Sequence, residues 1–255
     1  MKEKRALVRP PGPRLADGLL THLDRQPVDL ALARRQWEGY TAAMESEGWQ
    51  LVEVEPADDC PDAVFVEDTV VVYGDLGVIT RPGAVERRPE TAGTEQTLGE
   101  LGYRVTHIKA PGTLDGGDVL KHDGHVWVGV GERTNAEGTG QLAVHIAPQG
   151  AHVEAVPVSQ VLHLKSAVTA LPDGAVVGYP PLVDDPSVWP NFVAVPEAGG
   201  AHVVLLDGET VLMSTSAPRT KELFESRGLR VVAVDISEFE KLEGCVTCLS
   251  VRLRG

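Results

Sequence analysis

One supersecondary unit recurs along this chain, and that recurrence constrains the fold more than any other feature. Four times an apolar or alternating run meets a tight turn and reverses into a second apolar run: 64–72 into 77–81, 118–121 into 126–130, 163–171 into 175–179, and 202–206 into 210–214. The turns are Tyr73-Gly74-Asp75, Asp123-Gly124, Pro172-Asp173-Gly174 and Asp207-Gly208, the Gly and Asp punctuation of β-hairpins. A helix-compatible stretch and a further strand follow most of them: 89–101 then 104–108, 134–146 then 152–156, and 218–227 then 229–234. The third unit, over 184–195, is helix-poor because Pro186, Pro190 and Pro196 interrupt it.

The chain ends complete the count. A strand over 246–253 has no hairpin partner after it, whereas the N-terminus offers a strand (5–9), a helix (28–47) and a strand (50–55). Joined in space they make a fifth unit. Positions Asp68, Asp115, His163, His202 and Cys248 then fall at equivalent places, 47, 48, 39 and 46 residues apart, a spacing of repeated supersecondary units. The expected architecture is α/β: a single domain over 1–255, built as a pseudo-fivefold α/β-propeller whose ring is closed by the two termini. An open mixed α/β sheet is the alternative the same strands allow.

In a ring of like units, equivalent positions converge on the axis. Here they bring together a thiol, an imidazole and carboxylates. A thiol can attack, a histidine can carry protons, and carboxylates can orient the histidine and hold positive charge. Cys248 also ends a C-x-x-C with Cys245, a spacing shared with thiol redox proteins and half zinc sites. A redox pair should open a helix, yet this one runs into LSVRLRG, and no second C-x-x-C completes a zinc site. Arg81 and Arg133 close the second strands of the first two units, where two arginines on one rim would clamp a carboxylate.

Composition narrows the partners. A formal net charge of −14 repels nucleic acid and anionic membranes and is compatible with a cationic small-molecule substrate. No apolar run reaches the roughly 18 residues of a membrane span, and no signal-peptide h-region follows the basic N-terminus. Three cysteines, an odd number, do not suit a disulfide framework, so a cytoplasmic location is expected.

Six segments, DAVFVEDTVVV, ITRPGA, LDGGDVL, GVGERTN, LHLKSAVTAL and GCVTCLSVRL, resemble the dimethylarginine dimethylaminohydrolase family of the guanidino-modifying, pentein-fold superfamily. The resemblance spans almost the whole chain in order. It implies the five-module propeller and hydrolysis of an N-methylated arginine to citrulline plus methylamine or dimethylamine. It further implies Cys248 as nucleophile, His163 as proton donor and Asp115 as its acidic partner. Asp62, Glu67 and Asp68 become substrate-binding acids, Arg81 and Arg133 the carboxylate clamp, Leu20 a lid residue and Leu242 a backbone contact. No metal or organic cofactor is implied, and the protein is expected to be a monomer or homodimer. Arginine deiminases and amidinotransferases use a similar catalytic set and are the nearest alternative.

Overall fold

The computed structural model describes residues 4–253; residues 1–3 and 254–255 lie outside the described residues. The chain opens with β1 (Arg5–Val8), α1 (Leu30–Ser46) and β2 (Gln50–Glu53). The next unit is β3 (Val70–Tyr73), β4 (Leu76–Ile79), α2 (Thr91–Glu100) and β5 (Arg104–His107). It is followed by β6 (Val119–His122), β7 (His125–Val130), α3 (Ala136–Ile146) and β8 (His152–Pro157). The third unit, β9 (Val168–Ala170), β10 (Val176–Gly178) and β11 (Phe192–Ala194), has only short 3₁₀ turns where its siblings have a helix, as its prolines require. The fourth is β12 (Val204–Leu205), β13 (Thr210–Ser214), α4 (Pro218–Ser226) and β14 (Arg230–Val234); α5 (Ser237–Glu240) and β15 (Val251–Leu253) finish the chain.

Among the described residues these strands make five three-stranded sheets with one topology. In each, the middle strand pairs antiparallel with an inner strand and parallel with an outer one. The fifth sheet, β15-β1-β2, obeys the same rule across the ends of the chain, with Ala6 opposite Arg252 and Leu51. The structure is therefore the pseudo-fivefold α/β propeller, closed by its termini.

Local sequence explains the repetition. Asp29 caps α1 by accepting the Leu32 N–H at 3.0 Å, and Asn135 caps α3 through the Gly138 N–H at 2.8 Å, each worth about 1 kcal/mol. Helices α1 and α2 end on Gly48 and Gly102 in the left-handed region, which a side chain would strain. The following Trp49 and Tyr103 N–H groups return to the Met44 and Leu98 carbonyls at 3.2 and 3.0 Å, and this exit aims the chain into the outer strand. Inner and middle strands are mostly buried, whereas β2 and β5 present Gln50, Glu53, Arg104 and His107 on the rim. Exposed polar and charged side chains on outer strands discourage edge-to-edge pairing.

The strands are shorter than the sequence suggests at the axis. Residues before β3, β6, β9 and β12 form 3₁₀ turns at Val66–Thr69, Gly116–Asp118, Leu164–Ser166 and Ala198–Ala201, and the chain before β15 is also a turn. Alternating LHLKS reads as strand, but Ser166 and Ala167 donate back to His163 and Leu164 carbonyls. The polar residues predicted at the starts of strands thus sit on turns that face one another across the axis.

Candidate active site

His163 is 2% exposed and held from both sides. Its Nε2 lies 3.0 Å from Asp115 Oδ2, and its Nδ1 lies 3.7 Å from Asp68 Oδ1. Each carboxylate is itself fixed: Gly83 N–H donates to Asp115 at 2.9 Å, and Gly117 N–H donates to Asp68 at 2.8 Å. The glycine at 117 is a requirement of space, because a Cβ there would lie 2.6 Å from both Asp68 Oδ1 and His163 Nδ1. Behind this layer, Thr134 donates its hydroxyl to Asp118 at 2.6 Å and accepts the Asp115 N–H at 3.0 Å, while Asp118 accepts the Leu164 N–H at 2.9 Å.

The charges follow from this packing. Burial opposes an imidazolium, but Asp68, Asp118 and Asp115 outweigh it and raise His163 to about 9. Burial likewise opposes Asp68 ionisation, yet His163 and Arg87 bring its carboxyl down to about 2. Asp118 goes the other way, to about 6, chiefly through burial. Near neutrality His163 is therefore a cation braced by carboxylates.

Cys248 opens on the same cleft as His163, Asp62, Asp68, Arg87, Arg133, Leu242 and Leu19. Its Sγ lies 3.2 Å from Cys245 Sγ, and its thiol is pushed well above the ordinary range by that contact, by burial, and by the charges of Cys245, Glu67 and Asp68. Glu67 braces the turn that carries it. The Glu67 N–H donates to the Cys248 carbonyl at 3.2 Å, and the Glu67 carboxylate pairs with Arg252, whose guanidinium also donates to the Thr247 carbonyl at 2.9 Å. Tyr40 adds a hydrogen bond to the Val246 carbonyl at 3.0 Å from helix α1.

Not every residue predicted from sequence lines this cleft. Arg81 does not line the cleft: its backbone bridges to Leu114, and its guanidinium runs to the Gly112 carbonyl at 3.1 Å. The second arginine of the cleft is Arg87, which the sequence reading passed over. It is buried and bonds Asp68 at 2.6 Å, Glu90 at 2.8 Å and the Asp62 and Phe65 carbonyls. Nothing in VERRPE distinguishes Arg87 from its exposed-looking neighbours; only the fold brings it beside Asp68. Glu67 faces away from the cleft, toward Lys165 at 2.7 Å and Arg252 at 2.8 Å. Leu20 packs on the hydrophobic core near the cleft, and its neighbour Leu19 lines it. Leu19 N–H is gripped by both oxygens of Asp62, whose carboxyl is raised by burial.

Asp68, Asp115 and His163 also place potential metal-ligand atoms within 4.8 Å of one another. Their oxygens are already engaged by Arg87, Gly117, Gly83 and His163 itself, so the set is organised to hold a proton. A buried protonated histidine, a thiol and carboxylates in one cleft can perform nucleophilic substitution on a cation, with the histidine supplying a proton to the leaving group.

Several known proteins are similar to this chain, although no family model matches it. An N(G),N(G)-dimethylarginine dimethylaminohydrolase of Streptomyces coelicolor is 60% identical over 254 residues, covering 100% of this chain and 98% of that protein. The Pseudomonas aeruginosa enzyme of the same name is 34% identical, covering 98% and 99%. A solved structure of a cysteine-to-serine mutant of the Pseudomonas enzyme, complexed with citrulline, superposes with a TM-score of 0.91 over 99% of this chain and 100% of its own. The N-terminal domain of ArgZ, a cyanobacterial arginine dihydrolase, shares the fold at 22% identity and a TM-score of 0.89. The chain belongs to the dimethylarginine dimethylaminohydrolase family, in the guanidino-modifying superfamily of pentein fold.

Proposed function

We propose that this enzyme hydrolyses N-methylated arginine, asymmetric dimethylarginine and monomethylarginine, to citrulline plus dimethylamine or methylamine. The observation that carries the reading is His163, held between Asp115 and Asp68, in the cleft that Cys248 also lines. Full-length identity of 60% to an enzyme of that name supports the substrate class.

A guanidinium is resonance-stabilised and a poor electrophile. Asp62 and Asp68, facing the cleft, localise its charge. Arg133, which reaches Thr21 at the mouth, receives the substrate's α-carboxylate; Arg87 is saturated by protein partners and serves to hold Asp68. Leu19 and Leu242 supply apolar walls.

The contact with Cys245, burial and the nearby acidic charges favour the Cys248 thiol over the thiolate. The cationic substrate and the His163 imidazolium favour the thiolate, so the nucleophile forms when substrate is present. Sγ adds to the guanidinium carbon to give a tetrahedral adduct. His163 Nε2 is engaged by Asp115, so Nδ1 gives the proton to the departing amine, leaving a thiouronium on Cys248. The neutral imidazole then takes a proton from water, the hydroxide adds to the same carbon, and citrulline leaves as Sγ departs.

A cytoplasmic setting fits this reading, since all three cysteines are unpaired. The test is kcat/KM for citrulline formation from asymmetric dimethylarginine, monomethylarginine and arginine. The methylated substrates should exceed arginine by at least an order of magnitude, because a pocket shaped for methyls leaves arginine's extra N–H donors unpaired. A higher value for arginine would move the enzyme to the deiminases.

A further inference from the structure

Cys245 is a buried nucleophile for which the hydrolytic chemistry has no use, and it is not an isolated thiol. Its Sγ lies 3.2 Å from Cys248 Sγ and 3.1 Å from the Thr247 hydroxyl. The two cysteines bracket one tight turn, with the Cys248 N–H donating to the Cys245 carbonyl at 3.0 Å. A turn of that kind keeps the first and fourth Cα atoms within about 7 Å, overlapping the span a disulfide bridges. Closing the sulfurs to bonding distance, about 2.05 Å, needs side-chain rotation and only a small shift. Cys248 opens on the cleft, whereas Cys245 is 2% exposed behind it.

We propose that Cys245 is a resolving thiol, which joins Cys248 in a reversible intramolecular disulfide when a hydroperoxide enters the cleft. In the first step the Cys248 sulfur attacks the O–O bond and gives up its thiol proton. An S–O bond forms and the O–O bond breaks. The sulfur is oxidised by two electrons, and the leaving alkoxide or hydroxide takes that proton. In the second step Cys245 Sγ attacks Cys248 Sγ. The S–S bond forms, the S–O bond breaks, and the departing hydroxide takes a proton from His163 and leaves as water. The nucleophile is then masked until a dithiol reduces it. A lone active-site thiol would continue to sulfinic acid, which a dithiol does not reverse. The pair therefore converts permanent oxidative loss into temporary inactivation.

The test treats the full-length enzyme with hydrogen peroxide, blocks remaining thiols with iodoacetamide, and measures intact and peptide masses beside activity. The wild type should lose two hydrogens, keep one alkylatable thiol on the Cys60 peptide, lose activity, and regain it in dithiothreitol. Cys245→Ser and Cys245→Ala should keep basal turnover within a factor of a few, gain oxygen on the Cys248 peptide, and stay inactive after dithiothreitol. The mass readout is independent of which guanidino substrate the enzyme takes, so it stands apart from the assignment of the reaction. A wild type that gains oxygen on Cys248 with no Cys245–Cys248 linked peptide would overturn the proposal. Equal dithiothreitol recovery of wild type and both variants would overturn it too.

Discussion

His163 Nε2 sits 3.0 Å from Asp115 Oδ2, and that contact decides which of the two ring nitrogens can deliver a proton into the cleft. With Nε2 taken, Nδ1 on the Asp68 side is the free donor. Replacing His163 with Asn or Gly should lower kcat by roughly 10²–10⁴-fold while leaving substrate affinity within a few-fold. Stopped-flow or equilibrium binding beside steady-state rates measures both; a fall of only a few-fold in kcat would take His163 out of the mechanism.

The same ion cluster gives a pH signature in stability. The folded-state pKa of His163, about 9, lies above the ordinary value near 6.5, so its charge stabilises the fold. That contribution is fully present below about pH 6.5 and is lost as pH rises through 9. The difference in unfolding free energy between wild type and His163→Asn should therefore shrink by about 3 kcal/mol across that window. In kcat/KM the matching feature is an alkaline limb near pH 9, where the proton donor disappears. Urea denaturation at a series of pH values reads the stability term, and a difference flat with pH would refute the buried imidazolium.

Gly117 tests the packing of the site. A methyl at this position meets Asp68 and His163 at 2.6 Å. Gly117→Ala should displace the imidazole and cost at least ten-fold in kcat. An unchanged rate in a folded Gly117→Ala protein would show that the His163–Asp68 approach is not needed for turnover.

The order of the elements was legible because it rests on local chemistry. Turn glycines, the Asp29 and Asn135 caps and the prolines of the third unit act within a few residues, and the helices, middle strands and outer strands that were expected lie within about two residues of their expected bounds, while inner strands start up to six residues later. The ring closure could be read because β15 lacks a hairpin partner and β1 supplies one. What the sequence hid was which side chains turn inward. The inner turns are 3₁₀, with a different residue spacing from strands, and Arg81, which follows β4, sends its guanidinium to the Gly112 carbonyl. Arg87 enters the site from the 3₁₀ segment Val85–Glu90, through a contact with Asp68 that spans 19 positions, and no local pattern announces it.

The three arginines should consequently separate. Arg133→Ala should raise KM for α-amino acid substrates by an order of magnitude or more with kcat nearly kept, and it should spare an alkylguanidine that lacks the carboxylate. Arg87→Ala strands Asp68 and Glu90 in the interior and should cost about 3–5 kcal/mol of stability along with activity. Arg81→Ala should change KM little. Thermal unfolding and Michaelis parameters for the three variants distinguish these roles, and equal damage to the truncated substrate by Arg133→Ala would make that arginine structural.

In the proposed mechanism Cys248, and not its neighbour 3.2 Å away, bonds to the substrate carbon. Acid-quenching the enzyme during turnover of asymmetric dimethylarginine and mapping the adduct by mass spectrometry tests this most directly. Chymotryptic cleavage after Leu249, with fragmentation between the two cysteines, assigns the modified sulfur. A thiouronium is expected on Cys248 in wild type and in Cys245→Ser, with neither adduct nor turnover in Cys248→Ser. An adduct on Cys245, or citrulline production by Cys248→Ser, would contradict it.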